Sequence, residues 1–239
     1  MGGHDTPRTD PIYEEVVRAA FQLTRAGYLV ATGGGLGIME AGNLGAWLAG
    51  APDDERIKDA LSIISKGPAW SRKNRTAFLD AGEAVIKRWP GGAESLGMAT
   101  WVYRDEPVSQ FATSIAKYFN NNIRENGLLS LATSGVIYAP GGAGTSQEIF
   151  TDAAQNSYRI FDVASPMIFL GRRNYMDAEA ALTAALQAQA VGAKHAWDDK
   201  LAVVDRAEDA VQFIREHDPI KASGVTPEPG DRARERQRR

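Results

Sequence analysis

Residues 138–148, Tyr-Ala-Pro-Gly-Gly-Ala-Gly-Thr-Ser-Gln-Glu, put three glycines and an alanine in four consecutive positions, then a hydroxyl and, three residues on, a carboxylate. A loop with so little side chain lets an external group approach the backbone closely. The apolar run Gly135–Ala139 precedes it. From Thr145 onward, Ile149, Phe150, Ala153 and Ala154 recur at helical spacing. Strand, turn and helix in that order leave backbone N–H groups free at the positive end of a helix, which is a site for an anion. Gly33-Gly34-Gly35-Leu36-Gly37 repeats the arrangement between Tyr28–Thr32 and a helix through about Leu48. Phosphate is the usual occupant of such loops, and two on one sheet point to a phosphate-containing ligand.

Neither loop carries a standard nucleotide motif. The third glycine of GxGxxG would fall on Ile38, Glu40 or Gln147, and there is no GK[ST]. Thr145 and Glu148 admit two readings. They match S/T-x-x-E, in which Glu148 would fold back as a capping box. If an anion occupies the helix mouth instead, Glu148 points along the ligand, several ångströms past the phosphate, where a sugar would lie. Glu40, early in its own helix, can equally be a simple complement to the helix dipole.

Several elements must position these loops. The spacing predicts helices over Ile12–Ala26, Asp53–Ile64, Thr76–Lys87, Phe111 to about Leu129 (broken near Asn120–Asn122), Ala178–Ala190 and Ala207–His217. Strands are expected at Tyr28–Thr32, Met98–Tyr103, Gly135–Ala139, Pro166–Leu170 and Leu201–Val204. Strands alternating with helices imply right-handed crossovers and a parallel sheet covered on both faces. The expected fold class is α/β, a Rossmann-like doubly wound parallel sheet over residues 1–220. Ligands of such sheets bind beyond the carboxyl ends of the strands, where both glycine loops fall.

Composition narrows the function further. Apolar residues make up 44% and charged residues 24% of the 239, enough for a sizeable core. A net charge of −3 gives no overall attraction to nucleic acid. There is no cysteine for disulfides or thiolate chemistry, and His4, His195 and His217 have no metal-ligand spacing. No apolar stretch approaches the ~20 residues that span a bilayer, so a cytoplasmic location is expected. Residues 221–239 carry six basic and three acidic side chains, leaving −6 on the rest, and read as a disordered charged tail. The basic turn Arg72-Lys73-Asn74-Arg75 reads as a solvated face more than a pocket rim, and the tryptophans as core more than base-stacking platforms.

Gly33-Gly34-Gly35…Gly37-Ile38-Met39 and Pro140-Gly141-Gly142-Ala143-Gly144-Thr145…Glu148 together resemble the Lonely Guy (LOG) family, in its longer bacterial branch of nucleotide 5′-monophosphate nucleosidases. The resemblance implies cleavage of the N-glycosidic bond of a nucleoside 5′-monophosphate such as AMP, giving free base and ribose 5-phosphate, with no metal and no cofactor. It implies catalytic roles for Glu148 and for Arg124, which matches the family's arginine by position. Glu125 stands where the family has lysine, and a surface pair of Arg124 with Glu125 is the plainer reading. Gln147 replaces an acidic residue of the plant-type members, which points away from cytokinin nucleotides. Gly141, Gly142, Ala143, Gly144 and Thr145 would hold the phosphate. Gly33, Gly34, Gly35 and Gly37 would form the opposite wall, with Met39 and Glu40 near base or ribose. A homodimer is expected. A non-catalytic nucleotide sensor or a molybdenum-cofactor carrier is the alternative on the same fold. The family enters its first helix from a strand, whereas here Met1-Gly2-Gly3-His4 precedes it. The chain is therefore expected to start in the following loop, leaving a gap or two unpaired edges in the sheet.

Overall fold

The structure, a computed structural model, describes residues 1–51, 55–102, 106–177 and 180–222. In chain order it runs α1 (Pro11–Arg25), β1 (Val30–Thr32), α2 (Ile38–Leu48), α3 (Glu55–Ile64), α4 (Arg75–Arg88), β2 (Ser95–Thr100), β3 (Ser114–Tyr118) and α5 (Asn121–Leu131). There follow β4 (Val136–Tyr138), α6 (Ala143–Tyr158), β5 (Met167–Leu170), α7 (Ala180–Gly192), β6 (Leu201–Val204), α8 (Ala207–His217) and α9 (Pro219–Ala222). The charged tail assigned to 221–239 lies outside the described residues, except for the two that end α9.

Local chemistry explains the main boundaries. Asp10 accepts a hydrogen bond from the Ile12 N–H (2.9 Å), and Pro11 opens α1 with its φ already helical. The helix buries Tyr13, Val17 and Phe21, one face at i, i+4, i+8 spacing. Gly27 stops it at φ +87°. These side chains enter a core with Leu44, Leu48, Ile57, Ile64, Val85 and Phe111.

The strands form two three-stranded parallel sheets, ordered β1-β2-β3 and β4-β5-β6. Their registers pair Ala31 with Leu96, Met98 with Ala116, and Ile168 with Ala202. β5 is buried along its whole length, as its unbroken apolar run requires. Met167 and Phe169 join Tyr138, Ile149, Leu186 and Trp197 in one core, while Ile168 meets Ala210 and Ile214 of α8 in another. Truncating Phe169 to alanine would cost about 3–5 kcal/mol. Helices thus flank the strands on both faces, consistent with a Rossmann-like α/β fold. β1 and β4 are the inner edges, and among the described residues neither pairs with a strand on its free side. The β4 edge is not bare: the Met1 amine donates to the Ile137 carbonyl (2.7 Å), and the Met1 carbonyl accepts from the Ala139 N–H (3.0 Å).

One sequence-based expectation is overturned. The helix over Phe111–Leu129 is two elements: Ser114–Tyr118 is a strand paired with β2, and the helix begins only at Asn121. Ser-Ile-Ala-Lys-Tyr is a weak pattern because β3 pairs on one side only and its first two residues are exposed. The break belongs to Asn120, whose side chain caps α5 by accepting from the Ile123 N–H (3.2 Å). The strand expected at Met98–Tyr103 begins earlier, at Ser95.

Candidate functional site

α6 begins at Ala143 with Gly142 as its N-cap and no side chain capping it. The capping-box reading of Thr145 and Glu148 therefore fails: Thr145 already lies inside the helix, and its hydroxyl packs against Gly141. Gly141, Gly142, Ala143 and Gly144 are exposed. A Cβ added at Gly142 or Gly144 would meet nothing within 4 Å, so the loop borders open space. A 16-residue helix thus presents an uncapped N-terminus to solvent.

Glu148 lies just over a turn into that helix and is 6% exposed. Its Oε1 accepts from Arg124 Nη1 at 3.2 Å. Arg124 Nη2 donates to Asn121 Oδ1 (2.7 Å) and stands 3.6 Å from Glu125 Oε1. Glu125 is buried and itself held, by Asn121 Nδ2 at 2.6 Å and Gln147 Nε2 at 2.7 Å. Arg124 is therefore not a surface partner of Glu125; it is buried at the junction of α5 and α6. Burial pushes the Glu148 carboxyl above its ordinary range, while the Met1 ammonium and the Arg124 guanidinium pull it back and Glu125 adds to the rise. One donor remains unused: Arg124 Nε is buried with no hydrogen-bond partner. An unpaired buried N–H on a guanidinium costs free energy that an anionic or hydroxyl-bearing ligand would recover.

The first glycine loop reaches the same guanidinium. A Cβ at Gly33 would come within 3.0 Å of Arg124 Nη1 and 2.5 Å of Met39 Sδ. Gly34 has φ +67°, and a side chain there would meet the Gly97 backbone at 2.9 Å. Gly33, Gly34, Gly35, Met39 and Arg124 line a cavity of about 40 Å³ with Thr100, Glu106 and Lys117.

The two loops are not equivalent. The mouth of α2 is occupied by the chain itself, since the Ile38 N–H donates to the Gly3 carbonyl (3.0 Å) and His4 lies against Gly37. Gly37 adopts φ +58° and does not line the cavity. Glu40 turns away as well: Arg8 Nε and Nη2 donate to its two oxygens at 2.8 and 2.7 Å, and Tyr13 Oη donates at 2.9 Å. Arg8 in turn stacks 3.6 Å above the Phe78 ring and donates to the Phe78 carbonyl. Glu40 belongs to a buried ion pair within the α1–α2 core.

Arg72, Lys73 and Arg75 lie on an exposed turn away from the cavity. Trp89 and Trp197 are buried, but Trp101 is 48% exposed, stacked on Phe119 with Lys117 Nζ 3.8 Å above its ring. Four polar residues here escaped the reading of the sequence. Helical spacing covers Lys117, Asn121 falls in a helix break, Glu106 stands in a loop without pattern, and Glu125 reads only as Arg124's surface neighbour. Behind Glu148, Asp152 is buried and accepts from Tyr138 Oη (2.8 Å) and Ser165 Oγ (3.3 Å). Burial raises its pKa to about 7.

Among the described residues no group of three or more His, Asp or Glu could hold a metal ion, and no helix is long and apolar enough to cross a membrane. No protein-family model matches the sequence, and no curated protein matches it either.

Proposed function

We propose that the chain hydrolyses the N-glycosidic bond of a nucleoside 5′-monophosphate, as its resemblance to the Lonely Guy family implies, on a Rossmann-like doubly wound sheet. The observation that carries the reading is the buried Arg124–Glu148 pair beside an uncapped helix N-terminus. On this reading the 5′-phosphate takes the free N–H groups of Gly142, Ala143 and Gly144 at the mouth of α6. The ribose then lies along the helix toward Glu148. Arg124 spends one nitrogen on Glu148 and one on Asn121, and its unpartnered Nε is left for a ribose or phosphate oxygen.

The chemistry follows from that placement. As the bond from C1′ to the base nitrogen stretches, positive charge grows on C1′ and the ring oxygen. The Glu148 carboxylate stabilises it, and can take a proton from the water that attacks C1′. The base leaves with the bonding electron pair and takes up a proton in place of the one Glu148 removes from the water, and the products are free base and ribose 5-phosphate. The Met1 ammonium and Arg124 both oppose the burial that raises the Glu148 carboxyl. A non-catalytic sensor or a molybdenum-cofactor carrier would need the anion site but has no use for the carboxylate.

A homodimer in the cytoplasm belongs to the same proposal. Phe119, Ile123, Phe150, Tyr158 and Ile160 are all exposed along or beside α5 and α6, apolar area that association would cover. The test of function is a panel of nucleoside monophosphates with released base as the readout, each run beside its nucleoside. AMP or a similar monophosphate should be cleaved at least tenfold faster than the nucleoside, since remote phosphate binding supports orientation. Equal rates on AMP and adenosine would remove the phosphate assignment.

A further inference from the structure

The cavity between the first glycine loop and Arg124 is too small to enclose a base. It holds about 40 Å³, room for a water molecule or two, whereas pockets that enclose a small molecule run from about 300 Å³. A base reaching this end of the site lies at the cavity mouth, with one face against the surface beside it.

That surface is aromatic. Thr100 lines the cavity, and Trp101 follows it past the carboxyl end of β2. Lys117 lines the cavity from β3, and Phe119 stands just past the carboxyl end of that strand. The register pairs Ala99 with Lys117 and Thr100 with Tyr118, and its next step sets Trp101 beside Phe119. Residues two apart on a strand share a face, so both rings lie on the side of the sheet that carries Lys117. The rings stack with centroids 6.0 Å apart and planes 17° from parallel, and Lys117 Nζ sits 3.8 Å over Trp101. Trp101 is 48% and Phe119 85% exposed, whereas Tyr138 and Phe169, the ring pair of β4 and β5, are buried. Core packing accounts for the second pair and leaves the first without a purpose inside the fold.

We infer that the Trp101–Phe119 stack is the platform on which the base of the nucleotide lies, and that it favours purine monophosphates. The assignment rests on the proposed nucleotide site at Gly142–Gly144 and Glu148, and adds base recognition to it. The stack stands at the carboxyl ends of parallel strands, where ligands of such sheets bind. A base laid on the rings presents its edge to Thr100, Glu106 and Lys117 at the cavity mouth. Every base has a π-face and a purine has the larger one, so purines gain most. The Lys117 contact with Trp101 is an exposed cation–π pair, weak enough to yield the ring to a base.

The test titrates AMP, UMP and ribose 5-phosphate calorimetrically into the full chain carrying Glu148→Gln, which suppresses turnover. Ribose 5-phosphate has the sugar and the phosphate but no base. The expected order of affinity is AMP, then UMP, then ribose 5-phosphate, with AMP at least tenfold tighter than the last. Adding Phe119→Leu keeps most of the apolar area that association would cover but removes the π-face. AMP should then bind at least about fivefold more weakly, with ribose 5-phosphate affinity, Tm and sedimentation unchanged. Phe119→Tyr should restore AMP binding, and Trp101→Leu should weaken it as Phe119→Leu does. Unchanged AMP affinity in Phe119→Leu would overturn the inference, as would equal binding of AMP and ribose 5-phosphate before that change. So would a parallel loss of both ligands, or a shift in sedimentation alone, which would make Phe119 a contact between copies. AMP held by the rings yet never cleaved by the native chain would sink the hydrolase reading and leave the platform standing. Base release by the native chain, with AMP affinity indifferent to both rings, would do the reverse.

Discussion

Glu148→Gln separates a catalytic carboxylate from a structural partner of Arg124. Gln keeps the size, and its carbonyl oxygen can still accept from Arg124 Nη1, the 3.2 Å contact that Glu148 makes. Arg124 also retains Asn121 at 2.7 Å and Glu125 at 3.6 Å, and the buried Met1 ammonium keeps its bond to the Ile137 carbonyl at 2.7 Å, so neither cation is left without a hydrogen-bond partner. The variant sheds a charge whose burial is unfavourable, as the raised pKa of Glu148 shows. Stability should therefore change by less than about 1 kcal/mol. The rate should not survive. A full carboxylate charge about 4 Å from a unit positive charge, at an effective dielectric near 20, is worth about 4 kcal/mol. With only part of that charge developed on the ribose at the transition state, about 3 kcal/mol remains, a factor of about 10² in turnover. The assay is base release from AMP under saturating substrate, beside calorimetric binding of AMP and a melting curve. Lost turnover with retained binding and Tm is the expected pattern. A near-normal rate would show that the negative charge is not used, and would return the protein to the class of nucleotide sensors.

Other consequences are open to measurement. Asp152 has a folded pKa of about 7 against an ordinary 3.8, so the folded state holds an extra proton between those values and stability falls as pH rises from about 4 to about 7. Asp152→Asn should flatten that slope, gaining on the native chain by about 3 kcal/mol between urea melts at pH 5 and at pH 8. Gly142→Asp places a capping carboxylate at an open position, and should raise stability by about 0.3 kcal/mol while raising the AMP KM at least tenfold. A lowered KM would show that no anion binds there. Arg8→Ala strips the partner from the buried Glu40 carboxylate, and should cost about 3–5 kcal/mol in urea unfolding without altering AMP affinity. A selective loss of affinity would put Glu40 back at the ligand.

Where the sequence carries its signal locally, the structure follows it closely. Leu201–Val204 and Ala207–His217 have the bounds their apolar spacing implies, and the β4–loop–α6 unit lies where Pro140 and its glycines set it. β3 was missed because an edge strand with two exposed residues lacks a buried pattern, and Ile115, Tyr118 and Phe119 can be read at helical spacing as well. The pairing of Arg124 with Glu148 joins residues 24 apart, across a strand and two helices. Local periodicity has no access to it; only the resemblance brought the two residues together. Glu40 shows the opposite failure. Its place at the start of a helix behind a glycine loop suggested a ligand, yet its fate is decided by Arg8, 32 positions upstream, which nothing local to Glu40 announces.

The inequality of the two glycine loops then orients the ligand. Both have a helix behind them, but at the mouth of α2 the Ile38 N–H donates to the Gly3 carbonyl, whereas α6 is open. An acceptor already bonded to the Ile38 N–H leaves the α2 end with less positive potential to offer a phosphate. The 5′-phosphate of the proposed substrate therefore belongs at Gly142–Gly144. On the proposed reading Glu148 and Arg124 would span the ribose, and the base would extend toward Gly33–Gly35 and the small cavity beyond them. The groups there are Met39, Thr100, Glu106 and Lys117, a thioether, a hydroxyl and two side chains of opposite charge. Glu106 is 20% exposed, and burial raises its carboxyl against the opposing pull of His4; on the proposed reading it would accept from an exocyclic amine of the base. On the proposed reading, choice among bases would rest on Thr100, Glu106 and Lys117, while the second glycine loop alone would hold the phosphate that every nucleotide shares.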